Sequence, residues 1–239
     1  MNLMLEHIDL TQLLVLDIET APQYPTFDEV PEIFKELWEQ KTLYQRKEET
    51  ASEYYPRAGI WAEFGKIICI SVGIFTKENG ISGLRIKSFF GDDECHLLSG
   101  FIALLNKQPN TLTLCAHNGK EFDFPYLCRR TLVNQLCIPE QLRISGKKPW
   151  EIHHLDTMDL WKFGDYKNYT SLNLLAAIFN IPTPKDDING SDVHRVYWKD
   201  HDLNRIKTYC EKDVITTAQL LLKFKGLPII DDQHISMVE

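Results

Sequence analysis

The sequence predicts a mixed α/β fold: five strands in one sheet, flanked by helices. Three observations carry this expectation. Short apolar runs rich in β-branched residues recur at strand length. Segments with apolar residues at helical spacing separate several of them. Two of the runs are followed at once by polar, acid-bearing residues. The 239 residues are 44% hydrophobic, enough to build a substantial core.

The elements follow in order. Residues 13–18 (LLVLDI) read as a buried first strand, stopped by Ala21-Pro22. Residues 28–50 carry Ile33, Leu37, Leu43 and Tyr44 near helical spacing among charges, and read as an amphipathic helical insert. It comes directly after the first strand's end, so it should stand near any site there, as a gate to a single strand or as a packing helix. Residues 54–64 read as an aromatic-rich loop. Residues 66–75 form the second strand, and residues 83–90 the third, paired as a hairpin through a turn at Gly80. Residues 94–106 are helical, 111–116 the fourth strand, and 124–136 a helix stopped by Ile138-Pro139. Residues 151–155 are the fifth strand. Residues 171–180 form a helix capped by Ser171 or Thr170. A long helix spans 203–223 and closes at Gly226 and Pro228. The domain is expected to span 1–225, with 226–239 as a loose C-terminal tail.

Composition narrows the function classes. No apolar run reaches about 18 residues, so no membrane helix is expected. The first 16 residues lack a basic segment ahead of their apolar stretch, which argues against a secretory signal. Six cysteines lie scattered, with no CxxC pair; this suits a reducing, cytoplasmic setting without disulfides or zinc ribbon. The formal net charge of −8 speaks against broad electrostatic binding to a duplex. It leaves open a site that holds only a strand end, where bound cations neutralise phosphate.

The candidate chemistry lies in three patches. Asp17 and Glu19, two apart on a strand, share one face. Such a pair suits a hard-oxygen site for Mg²⁺ or Mn²⁺, or a strand that ends in solvated acids. The second patch, His117-Asn118-Gly119-Lys120-Glu121-Phe122-Asp123, also comes after a strand, so it lies at the same sheet edge. Asp123 there suits a metal or a helix cap. In the third patch, Tyr209 and Asp213 are one helical turn apart and share a face, which in isolation suits a partly buried core tyrosine and a surface acid. Asp156 and Asp159, beside His153 and His154, suit a metal cluster or, more simply, helix capping. Arg129-Arg130 and Lys147-Lys148 read as solvated faces, with phosphate contact as the other possibility.

Taken together, DxE after a strand, HNGxxFDxPxL after a strand and YxxxD on a late helix resemble the DEDD superfamily of 3′→5′ exonucleases. The nearest likeness is to the proofreading exonuclease domain of family B DNA polymerases in a stand-alone form. It runs from Leu13 to about Leu222 and includes residues 185–198. The resemblance implies a ribonuclease H-like fold and an exonuclease cutting single-stranded DNA from the 3′ end to 5′-mononucleotides. It implies two divalent ions, Mg²⁺ or Mn²⁺, held by Asp17, Glu19, Asp123 and Asp213. Tyr209 matches the Tyr-type subgroup; the histidine of the other subgroup would stand at Thr208. Thr20, Asn118 and Phe122 match positions that line the substrate end. An exoribonuclease with the same chemistry, or a non-catalytic binding module on the same fold, are the alternatives.

Overall fold

The computed structural model describes residues 5–78, 81–165, 167, 169–183 and 188–238. The turn expected at Gly80 lies outside them, as do residues 185–187 of the family-like segment. The strands are β1 (Leu13–Pro22), β2 (Gly65–Glu78), β3 (Ile81–Phe90), β4 (Thr113–Ala116), β5 (Leu155–Asp156) and β6 (Ile235–Val238). The insert holds α1 (Glu32–Thr42), and the single turn α2 (Ala51–Tyr54) follows directly after it. Then come α3 (Glu94–Asn106), α4 (Asp123–Val133), α5 (Thr157–Lys162), α6 (Leu172–Ile178), the turn α7 (Val193–Arg195) and α8 (Leu203–Phe224). A π-helical turn, Val196–Asp200, joins α7 to α8.

The strands make one sheet in the order β5-β4-β1-β2-β3-β6. β2 runs antiparallel to β1 and β3, while β4 and β5 continue from β1 in parallel. Its five expected strands take the ribonuclease H-like arrangement. β1 lies in the interior of the sheet and is buried on both faces. Its even residues Leu14, Leu16 and Ile18 pack with Leu98 and Phe101 of α3 and Phe124 and Leu127 of α4. Leu13 and Val15 pack on the other face with Val214, Ala218 and Leu221 of α8. Among the described residues no helix is long and apolar enough to cross a membrane.

Several expectations are corrected. The sheet has six strands, not five. Ile235–Val238 of the supposedly loose tail pairs in parallel with β3. The tail is drawn in by the buried side chain of Gln219, which donates to Ile230 O at 2.8 Å and accepts from Ile230 N at 2.9 Å. A buried amide needs such partners, and a nearby peptide unit supplies both. β1 runs on through Ala21-Pro22 rather than stopping before them. β5 is two residues long, because Asp156 is taken up in capping the next helix. Residues 54–64 are largely helical turns, not loop.

The insert helix turns its other side inward. The expected apolar face, Ile33, Leu37, Leu43 and Tyr44, is exposed. Trp38 is fully buried instead; its indole N–H donates to Ala51 O at 2.9 Å. Its ring meets Trp61 and Phe64 edge-on at 5.2 and 5.1 Å. One large aromatic side chain with a satisfied N–H outweighs four smaller residues whose burial depends on a partner surface.

Candidate active site

The strand alternation that buries Leu16 and Ile18 against α3 and α4 sends Asp17 and Glu19 to the α8 face. The β1–β2 register shifts between Glu19 and Thr20, where β2 carries one extra residue, Ile68, opposite the strand just after the pair. On α8, Tyr209 and Asp213 are one turn apart. Between them the Cys210 thiol donates to Asp17 O at 3.4 Å, tying the helix to the strand.

The second patch arrives by a different route. β4 ends at Ala116, and Asn118 takes a left-handed conformation (φ 63°) to turn the chain into α4. Gly119 is required, since a Cβ there would lie 2.4 Å from that of Ala116. Asp156 clamps the turn, accepting from Asn118 N at 2.9 Å and Lys120 N at 3.0 Å while capping α5 through Met158 N and Asp159 N. Asp123 stands at the first position of α4, and the cap residue is Phe122, so Asp123 is no N-cap. Its carboxylate accepts from Ile18 N at 3.2 Å, which fixes it beside the β1 acids.

These elements enclose a cavity of about 680 Å³. Asp17, Glu19, Thr20, Asn118, Phe122, Asp123, Tyr209 and Asp213, all eight residues singled out from the sequence, line it. Oxygens of Asp17 and Glu19 and the Cys210 sulfur lie within 4.8 Å of one another. From the sequence alone, Cys210 is only one of six scattered free cysteines.

The electrostatics come from burial. Desolvation, then the charges of Glu19, Asp213 and Asp123, push Asp17 well above the usual carboxylate range. Desolvation, with the charge of Asp213 next among its causes, does the same to Glu19. Asp123, first through burial, is pushed up to about 7. Burial and the neighbouring carboxylates raise the Tyr209 phenol far above its ordinary value, so it stays protonated. Asp17 Oδ2 and Asn118 Oδ1 are buried without a hydrogen-bond partner. A buried, donorless carboxylate oxygen among other acids fits a divalent cation as its partner.

A carboxylate with a raised folded pKa binds its proton more tightly folded than unfolded, which makes stability depend on pH. Its favourable contribution is present below about pH 4 and is lost as pH rises through about 7 for Asp123. The histidines His117, His154 and His194, whose pKa values desolvation lowers, oppose this trend. The difference between wild type and Asp123→Asn isolates the carboxylate. In EDTA, the variant is expected to gain melting temperature relative to wild type as pH rises from 5 to 8. Parallel curves would remove Asp123 from the strained set.

The remaining candidates have structural roles. Asp156 is the cap and clamp described above, and Asp159 pairs with Lys120 at 3.0 Å. His154 is buried between Leu114 N and Gln141 O. Arg130, expected on a solvated face, is buried against Glu94. Residues missed from the sequence also line the cavity: Arg57 and Ile60 from the supposed loop, Tyr169, and Gly190, Ser191 and His194 from the family-like segment. Among the described residues, 28–50 contribute nothing to the wall; on that side it is built by Glu53, Pro56, Arg57, Gly59 and Ile60, so these residues shape access.

A family model described as a predicted 3′-5′ exonuclease related to the exonuclease domain of PolB matches residues 60–229, over two thirds of the chain. The matched stretch begins after Asp17 and Glu19 and contains the other two patches. Comparison with curated proteins gives no match.

Proposed function

We propose, on the premise that the chain belongs to this family of predicted 3′-5′ exonucleases related to the exonuclease domain of PolB, that it hydrolyses terminal phosphodiester bonds from the 3′ end of a single strand of DNA. One observation carries the reading. Eight residues from three distant stretches of chain, matched to positions of the DEDD exonucleases by the resemblance, line one cavity.

Asp17, Glu19, Asp123 and Asp213 are the residues to hold divalent Mg²⁺ or Mn²⁺. Two such ions, when bound, would lower the pKa of the attacking water and offset charge on the leaving oxygen. The protein's own groups do the positioning. The Tyr209 hydroxyl, kept protonated, orients the water as a hydrogen-bonding group and not as a base. Asn118 Oδ1 is an acceptor suited to a terminal sugar hydroxyl. Phe122, beside Tyr126 with ring centroids 5.3 Å apart, offers an apolar face to the end nucleotide. Thr20, paired with Ile67 beside the extra residue of β2, borders the same end.

Purified protein is expected to release 5′-mononucleotides from a 3′ end with Mg²⁺ or Mn²⁺ and to stop in EDTA. Matched DNA and RNA strands labelled at either end measure polarity and sugar preference together. Metal-independent cutting, or attack from the 5′ end, would overturn the reading, and faster cutting of RNA would reassign the substrate.

Tyr209 and Asp213 should fail differently. Tyr209→Phe keeps the ring and removes the hydroxyl, so kcat should fall about 10²–10³-fold, as for the loss of one positioned hydrogen-bonding group. Metal affinity by calorimetry should stay. Asp213→Asn should weaken both. A normal kcat in Tyr209→Phe would make the tyrosine a packing residue only.

A further inference from the structure

The cavity is rich in negative charge. Asp17, Glu19, Asp123 and Asp213 line its floor and Glu53 its wall. An anionic strand must enter it, and the ions proposed for the floor can neutralise only the phosphate being cut. Among the described residues that line the cavity, Arg57 is the one Lys or Arg. His117 and His194 also line it, but burial lowers both; both ring nitrogens of His117 are engaged, with Thr157 and Thr170 O, and Nε2 of His194 with Pro25 O.

Arg57 is held for this position by the insert. Its Nη1 donates to Glu49 Oε2 at 2.7 Å, and its guanidinium lies over the Tyr54 ring, 4.5 Å from the centroid. Guanidinium has five N–H donors, so these contacts orient it without exhausting it. Glu53, the nearby acid, is turned to Thr50 in a reciprocal cap, its carboxylate accepting from Thr50 N and Oγ1 at 2.8 Å each. Below this platform, Trp38 packs Tyr54, Tyr55 and Phe64 into a small core of their own. Gly59 O accepts from Tyr126 OH at 2.7 Å, pinning the platform to α4 and so to the site. Arg57 is half-exposed at the rim, whereas Glu19 and Asp123 are buried and Asp17 and Asp213 half-buried.

We propose that Arg57 grips a backbone phosphate of the bound strand upstream of the linkage being cut, and that the aromatic core of the insert exists to present it; the assignment rests on the exonuclease reading above. A planar fork fits phosphate better than a point charge does, and a rim position suits a linkage that is held while another reacts. The contact is made equally before and during reaction, so it acts on binding and not on the chemical step.

The test uses the whole protein and single-stranded DNA carrying one neutral methylphosphonate linkage, placed in turn at successive positions upstream of the 3′ terminus. Arg57→Gln is expected to raise KM, and Kd by fluorescence anisotropy in Ca²⁺, about tenfold while kcat holds. The slope of log Kd against log salt should shrink by about 0.7, one phosphate contact on a single strand. One methylphosphonate position should weaken wild type by a similar factor and Arg57→Gln no further. Glu49→Gln breaks the same ion pair but keeps the guanidinium, so it should bind nearly as wild type does. A fall in kcat alone, or a penalty that adds in full to every methylphosphonate, would overturn the assignment. If wild type cuts nothing, the exonuclease reading fails while the anisotropy still decides: equal Kd for wild type and Arg57→Gln removes Arg57 from the nucleic-acid contact.

Discussion

Asp17→Ala combined with Glu19→Ala is expected to reduce turnover by at least about a thousandfold and to remove any metal-dependent rise in melting temperature. Bound ions supply several kcal/mol of transition-state stabilisation, and every 1.36 kcal/mol is a factor of ten. The stability effect has a separate origin. In the metal-free protein Asp17 is strained by burial and by Glu19 and Asp213, and Glu19 by burial and by Asp213. A cation that binds only the folded form relieves the strain and adds RT ln(1 + [M]/Kd), about 2.7 kcal/mol at a hundredfold excess over Kd. Millimolar Mn²⁺ should therefore raise the wild-type melting temperature. The double variant has no pair to relieve, so it should melt slightly higher than wild type in EDTA and stay unmoved by Mn²⁺. An equal Mn²⁺ shift in both proteins would place the ion elsewhere.

Arg130→Met is expected to be the most damaging substitution outside the site, at about 3–5 kcal/mol, the usual cost of breaking a buried ion pair from one side. Glu94 Oε1 accepts from Arg130 Nε at 2.9 Å and from Ile67 N at 2.7 Å. Its Oε2 accepts from Arg130 Nη2 at 2.6 Å and Asn134 Nδ2 at 2.8 Å. Arg130 Nη1 reaches Ala62 O at 2.8 Å. The pair thus joins α3, α4, β2 and, through Ala62, the segment that leads into β2. Removing the cation leaves a buried carboxylate with two donors in place of four. At about 2–4 °C per kcal/mol for a chain of this size, the loss is about 6–20 °C in melting temperature. Glu94→Leu with Arg130→Met should lose less than Arg130→Met alone, because no charge is then stranded. A single variant that melts within about 2 °C of wild type would show the pair to be solvated. Because α4 carries Asp123, the damage should also lower activity.

The resemblance to the DEDD exonucleases supplied the eight cavity residues; the sequence by itself determined the order of five strands along the chain, the face that Asp17 and Glu19 share, and the one-turn spacing of Tyr209 and Asp213. Local geometry sets these: a two-residue alternation in a strand, 3.6 residues per turn in a helix, and a sheet whose strand ends lie at one edge. Only the tertiary structure decided the rest. Residues Ile33 and Leu37 have the spacing of a buried face, yet Trp38 took the interior, because its aromatic neighbours come from residues 54–64. Arg130 looks like a surface charge until Glu94 stands beside it. The tail becomes β6 because Gln219 needs a buried partner, and Arg57 becomes a cavity residue because Glu49, Tyr54 and the sequence-distant Tyr126 hold its platform in place. Each of these depends on which distant surface satisfies a large side chain, a buried charge or a buried amide. Periodicity along the chain carries no record of that choice.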